Sequence, residues 1–212
     1  MKRSFNKQAG GITLIKRPII LVDLDDTLNK FAPSFWDVYN KTYNENQNYE
    51  NVTSWNLQDF AREDADAYGL LRTPGFFRNL PLKDYAEEFM RNIYKKYDVY
   101  LVTDAPAGTS HCDVEAGEAY SNPADDKRKW VKEHFPYFPQ DQIIFCSHKW
   151  MIEGDILVDD KPATYEKFEQ LGKNCILIDM PYNRYIETKW RAKDLREAEQ
   201  MIEEILAMNV VR

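Results

Sequence analysis

The chain has 212 residues, 43% of them hydrophobic, which suits one domain with a sizeable core or one domain carrying a smaller insertion. Its net charge of −7 argues against a general nucleic-acid or membrane-surface binder, since both partners demand a positive footprint. The three cysteines, Cys112, Cys146 and Cys175, lack CxxC spacing and point to neither a disulfide framework nor a zinc knuckle.

In chain order, residues 1–17 carry Lys2, Arg3, Lys7, Lys16 and Arg17, no acid, and the Gly10-Gly11 pair, and read as a flexible basic leader. No apolar run approaches the roughly 20 residues needed to span a bilayer, and the N-terminus lacks an apolar signal-peptide region, so a cytoplasmic location is expected. Pro18 opens a strand predicted from Ile19 to Leu24, whose unbroken apolar run suits a parallel strand covered on both faces. From 29 to 81 aromatic and polar stretches with helical spacing replace any strand pattern, and this segment is predicted to be a helical cap. A helix follows over 85–97, with Ala86, Phe89, Met90, Ile93 and Tyr94 on one face.

Strands are then predicted at Val99 to Val102 and within "QIIFCSHK", "DILVDDKP" and "NCILIDMP", with helices at Asp125 to His134 and around Thr164 to Leu171. Strand and helix alternate, which predicts an α/β fold with a mostly parallel sheet, right-handed crossovers and helices on both faces. Its core takes residues 18–28 and 82–212. In such sheets ligands lie beyond the carboxyl ends of the strands.

Those ends are rich in polar residues. In an extended segment Asp23 and Asp25 share one side and Asp26 points away. With Asp159 and Asp160 from a neighbouring strand, the carboxylates crowd together, and repulsion protonates some of them unless a hard divalent cation is present. Magnesium fits, because it accepts oxygen ligands and keeps positions for water and a substrate phosphate. Lys149 can neutralise a phosphoryl oxygen, and Thr103 offers a hydroxyl donor.

"VDLDDT", "LVTD", Lys149 and "LVDDKP", in this order at the ends of apolar strands, resemble the signature motifs of the haloacid-dehalogenase-like phosphohydrolases. The resemblance runs from Pro18 to Met180 and implies a three-layer Rossmann-like core. Phe31 eight residues beyond Asp23, "TPGFFRNLPL", "DDKRKWVKEHFP", "DDKPATYEKF" and "MPYNR" are similar to the 5'(3')-deoxyribonucleotidase branch. Asp104 departs from it, standing where that branch carries a small hydroxyl residue; an acid beside a phosphate must turn away or bind something else.

The resemblance implies that Asp23 is the nucleophile, forming an aspartyl-phosphate, and that Asp25 gives a proton to the leaving oxygen and then takes one from water. It places Mg2+ on Asp23, the Asp25 carbonyl and the Asp159/Asp160 pair, with Asp160 as direct ligand. Thr103, Asp104, Lys149 and Phe31 are the substrate- and phosphate-binding positions. Phe35, Trp36, Trp55, Phe76 and Phe77 are further candidates for stacking a base. Arg72 and Arg78 read as surface ion-pair residues before phosphate-steering ones, and Asn183 and Arg184 as extras that close over the site. The implied partner is a nucleoside monophosphate, not a nucleic-acid polymer or a membrane, with room for a homodimer. Two alternatives stay open, a phosphatase of the same fold acting on a sugar phosphate and a phosphate-binding protein without turnover.

Overall fold

The structure, a computed structural model, describes residues 7–8, 11–12 and 17–210. Strands β1 (Lys7–Gln8) and β2 (Gly11–Ile12) pair antiparallel; the rest of the expected leader lies outside the described residues, except Arg17. Arg17 donates to the carbonyls of Tyr94, Lys95, Lys96 and Tyr97, where a helix ends with carbonyls that lack partners of their own.

A second sheet has six parallel strands: β3 (Ile19–Val22), β4 (Asp98–Thr103), β5 (Ile143–Phe145), β6 (Ile156–Asp159), β7 (Asn174–Ile178) and β8 (Arg191–Ala192), in the order β5-β4-β3-β6-β7-β8. Helices are α1 (Phe31–Tyr43), α2 (Ala86–Lys96), α3 (His111–Glu115), α4 (Pro123–His134), α5 (Pro162–Gln170) and α6 (Leu195–Val210). The β8 pairing and α6 had no counterpart in the expectations.

Pleating divides the apolar residues of each strand between two faces. Ile20 and Val22, Val99 and Leu101, Ile156 and Val158, and Ile176 and Ile178 join one cluster with Phe89, Met90 and Ile93 of α2, Trp130 of α4 and Ile202 of α6. Leu21, Val102, Leu157 and Leu177, of the opposite parity, pack with Tyr165 and Phe168 of α5. Coverage on both faces is the reason these strands read as continuous apolar runs.

Sheet order reverses at β3, which pairs with β4 on one side and with β6 on the other. The crevice beyond its carboxyl end is the topological switch point. Between β3 and α2 the chain forms α1 and four 3-10 turns, Tyr49–Asn51, Leu57–Phe60, Gly69–Arg72 and Phe77–Asn79, tied at the base by the bridge between Asn29 and Leu82. Phe35, Trp36, Tyr39 and Phe77 of this segment belong to the same cluster as the sheet face carrying Ile20 and Val22. No helix of the described residues is long and apolar enough to cross a membrane.

Helix α4 begins at Pro123 with the Asn122 side chain accepting from Asp125 N at 3.1 Å, and Asp125 and Asp126 fill its first turn. Its buried face carries Lys127, Trp130 and Val131. Trp130 is 1% exposed and donates from Nε1 to Leu80 O at 2.7 Å, joining α4 to the end of the 31–79 segment. Trp130→Ala is therefore expected to lower stability by about 3–5 kcal/mol, read as a reduced urea midpoint; a loss no larger than that of a surface substitution would show that this junction carries little.

Candidate active site

Asp23 stays in the sheet ladder, donating from its amide to Val158 O at 3.0 Å. The chain then leaves the strand and turns: the amides of Leu28 and Asn29 both reach Leu24 O, and Asp26 adopts a left-handed φ of 51°. Strand alternation ends here, so Asp26 does not face away as the spacing predicts. It is buried, and its carboxylate accepts from Ala32 N at 2.9 Å and from Tyr182 Oη at 3.2 Å. The first of these satisfies an amide in the opening turn of α1, whose own N-cap residue, Lys30, makes no side-chain cap.

Asp23, Asp25, Phe31, Thr103, Asp104, Lys149, Asp159 and Asp160 line one cavity of about 260 Å³. Lys149 lies in a 3-10 turn beyond β5 rather than at the strand end, and its Nζ is 2.6 Å from Asp23 Oδ1 and 2.6 Å from Asp159 Oδ2. Burial works against that ammonium, but Asp159 and then Asp23 outweigh it and hold its pKa above the ordinary lysine value. Burial also pushes Asp23 upward, opposed by Lys149 and reinforced by Asp159.

Asp160 is driven well above the usual carboxylate range, first by burial and then by the charges of Asp159, Asp23 and Asp26. Its oxygens accept from Tyr182 Oη at 2.5 Å and Thr27 Oγ1 at 3.3 Å, and its carbonyl from Asn183 Nδ2 at 2.8 Å. Carboxylate oxygens of Asp23, Asp159 and Asp160 lie within 4.8 Å of one another. A trio of buried hard oxygen donors with excess negative charge suits a small divalent cation. Asp159 is less free to bind one directly, since Lys149 occupies Oδ2 and Lys161 N donates to Oδ1 at 2.9 Å.

The group that sequence reasoning missed is Lys127. It is 2% exposed, and its Nζ donates to Asp25 Oδ2 at 2.5 Å, to Thr103 Oγ1 at 3.0 Å and to the Asp104 carbonyl. The other Asp25 oxygen accepts from Asn29 Nδ2 at 3.0 Å. Lys127 also stands 4.8 Å from the centroid of the Phe77 ring. The Asp104 carboxylate turns to neutral donors, with Oδ1 accepting from Ala105 N and Ser147 Oγ, each at 2.8 Å.

Above the carboxylates the cavity wall is aromatic. Phe31 stacks on Phe77 with centroids 6.0 Å apart and 17° between planes, and Trp36, Trp55 and Tyr68 complete the wall. Trp55 meets Tyr182 edge-on at 5.1 Å and the Lys161 ammonium at 5.2 Å, so the 31–79 segment touches the core beside Asp160. Phe35 and Phe76 are core residues outside this lining. Arg78 pairs with Glu133 on the surface at 2.5 Å, Arg72 is exposed, and Arg184 is an exposed partner of Asp179.

The 5'(3')-deoxyribonucleotidase of Clostridium acetobutylicum is 29% identical over 193 residues, covering 90% of this chain and 98% of that protein. The protein of the same name in Bacillus subtilis is 28% identical over 187 residues, covering 88% and 99%. A crystallised hydrolase from Streptococcus pneumoniae TIGR4 shares the fold at a TM-score of 0.50 and 13% identity, covering 89% of this chain and 100% of its own. The family described as "5' nucleotidase, deoxy (Pyrimidine), cytosolic type C protein" matches residues 17–210. The chain belongs to this family of haloacid-dehalogenase-like phosphomonoester hydrolases.

Proposed function

We propose that this protein hydrolyses (deoxy)ribonucleoside monophosphates to nucleoside and phosphate, with Mg2+ and through an aspartyl-phosphate on Asp23. The observation that carries the reading is one cavity with a floor of buried aspartates and lysines and an aromatic wall. Residues 29–81 act as the cap over a core of 18–28 and 82–212.

Asp23 attacks phosphorus, the bond to the sugar oxygen breaks, and Asp25 delivers a proton to that oxygen. Water then attacks the aspartyl-phosphate while Asp25 takes its proton, which frees Asp23 and phosphate. Lys127 and Asn29 orient Asp25, and Lys127 keeps two further acceptors, Thr103 Oγ1 and Asp104 O, when Asp25 carries the proton. Lys149 spends two donors on Asp23 and Asp159, which leaves its third N–H for a phosphoryl oxygen, and Thr103 lines the same cavity. Asp23, Asp160 and the Asp25 carbonyl would hold Mg2+, with Asp159 behind them; the ion supplies charge neutralisation for the phosphoryl oxygens. Phe31, Phe77 and Trp55 offer π-faces to the base.

A panel of deoxyribonucleoside, ribonucleoside and sugar monophosphates tests the substrate class: nucleotides are expected to show the higher kcat/KM, and parity with sugar phosphates defeats the reading. Asp23→Asn is expected to lower kcat by about 10⁴-fold or more, and retained turnover would rule out Asp23 as nucleophile. Lys127→Met should lower kcat by about 10²-fold with a smaller effect on KM; a pure KM effect would make Lys127 a binding group only.

Metal and pH effects follow from the raised carboxylates. Without metal, Asp23 and Asp160 bind protons more tightly folded than unfolded, so their own contribution to stability is largest at low pH and is lost as pH rises above the unfolded value of about 3.9. Asp26, pushed up to about 6 chiefly by burial, adds a loss that is complete just above pH 6. Mg2+ at a hundred times its dissociation constant adds about 2.7 kcal/mol, and its Tm increment should be larger at pH 8 than at pH 5 and mostly absent in Asp160→Asn. Equal increments at both pH values would contradict a site built on these carboxylates.

A further inference from the structure

Asp104 is the exposed acid of the cavity lining, directly after the buried Thr103. Among the described residues its carboxylate contacts, Ala105 N and Ser147 Oγ, both fall on Oδ1, and neither cancels its charge. The ammonium of Lys127 reaches the Asp104 carbonyl, not the carboxylate. The carboxylate is thus held in place from two elements: Asp104 follows the last residue of β4, and Ser147 lies just beyond β5, whose end is tied to β4 by Cys146 N donating to Thr103 O at 2.8 Å.

This corner also borders a second cavity of about 310 Å³, bounded by Gly108, Asn122 and Cys146. The loop that closes it is anchored by Thr109 N donating to Ser121 O at 3.0 Å and Ser121 N to Thr109 Oγ1 at 2.8 Å. A Cβ at Gly108 would sit 2.2 Å from Ser121 O, so the two arms of the loop approach too closely for a side chain there. The corner is therefore a fixed negative charge, whose Oδ2 has no hydrogen bond among the described residues, next to the Thr103 hydroxyl, which donates to the Asp104 carbonyl at 3.1 Å.

We propose that Asp104 is a specificity-determining residue whose carboxylate accepts a hydroxyl of the leaving alcohol and rejects a second phosphate, restricting the site to monophosphates. The inference rests on the phosphomonoesterase reading above. A hydroxyl can donate to Oδ2, whereas a phosphate dianion brings only acceptors and like charge to an oxygen that already holds its own. The three donors of Lys127 are committed to Asp25, Thr103 and the Asp104 carbonyl, the one N–H that Lys149 keeps beside Asp23 and Asp159 serves the transferring phosphoryl group, and Lys161 lies over the Trp55 ring, so none of the three is assigned to a second phosphate.

The test compares kcat/KM for a nucleoside 5'-monophosphate and the matching 3',5'-bisphosphate in the wild type, Asp104→Asn and Asp104→Ser, each ratio taken within one protein. The wild type should prefer the monophosphate by about tenfold or more, as expected for like charges near a surface, and both variants should bring the ratio toward unity. A second arm needs no base: inhibition of p-nitrophenyl phosphate hydrolysis by inorganic phosphate and by pyrophosphate at matched free Mg2+. Here the variants should strengthen pyrophosphate relative to phosphate by about tenfold. Ratios that are the same in all three proteins overturn the assignment. A variant effect in the second arm, in a protein without nucleotide preference, upholds Asp104 as the charge filter and overturns the nucleotidase reading instead.

Discussion

The ammonium of Lys149, buried between Asp23 and Asp159, is the interaction on which the rest of the site depends. Strands β3 and β6 are neighbours, and each runs into aspartates at its carboxyl end. Removing the cation from such a pair costs about 3–5 kcal/mol, because the carboxylates stay buried without compensation. Lys127 does the same for Asp25 from α4. Fully ionised, Asp23, Asp25, Asp159 and Asp160 outnumber Lys127 and Lys149 by two charges. That excess favours a divalent cation, and it falls on the side where, among the described residues, the Asp160 carboxylate has hydroxyl donors for partners.

The central strands were legible because a strand covered on both faces is apolar at every position. The runs at Ile19, Val99, Ile156 and Asn174 announced themselves for that reason, and the polar residues that stop them marked the crevice. Strand β8 spans two residues and carries no such run. Helix α6 carried a signal that went unread: Leu195, Ala198, Ile202 and Ile205 recur at three- and four-residue steps and are all buried.

Within the site, the residues at strand ends could be found from their neighbours in sequence, and those donated from elsewhere could not. Lys127 stands in the charged run "DDKRK", which reads as a solvated helix face. Only its spacing to Trp130 and Val131, three and four residues on, reveals that it shares the buried stripe. Tyr182 reaches Asp160 from the far side of β7, beside the Asn183 that the "MPYNR" stretch had offered as an extra, and no local pattern encodes the Tyr182 contact itself. The side-chain direction read for Asp26 failed for a different reason, since alternation predicts it only while the strand lasts.

The aromatic wall has a bearing on how substrate range can drift. Trp36 and Phe77, 1% and 2% exposed, face the cavity on one side and the hydrophobic core on the other. Shortening either to admit a larger substrate opens a void in the fold at a cost of about 3–5 kcal/mol, a large share of the stability of a domain this size. Trp55 and Tyr68, 42% and 50% exposed, carry no such penalty. New preferences can therefore accumulate at the rim one substitution at a time, while the depth of the pocket is inherited with the fold.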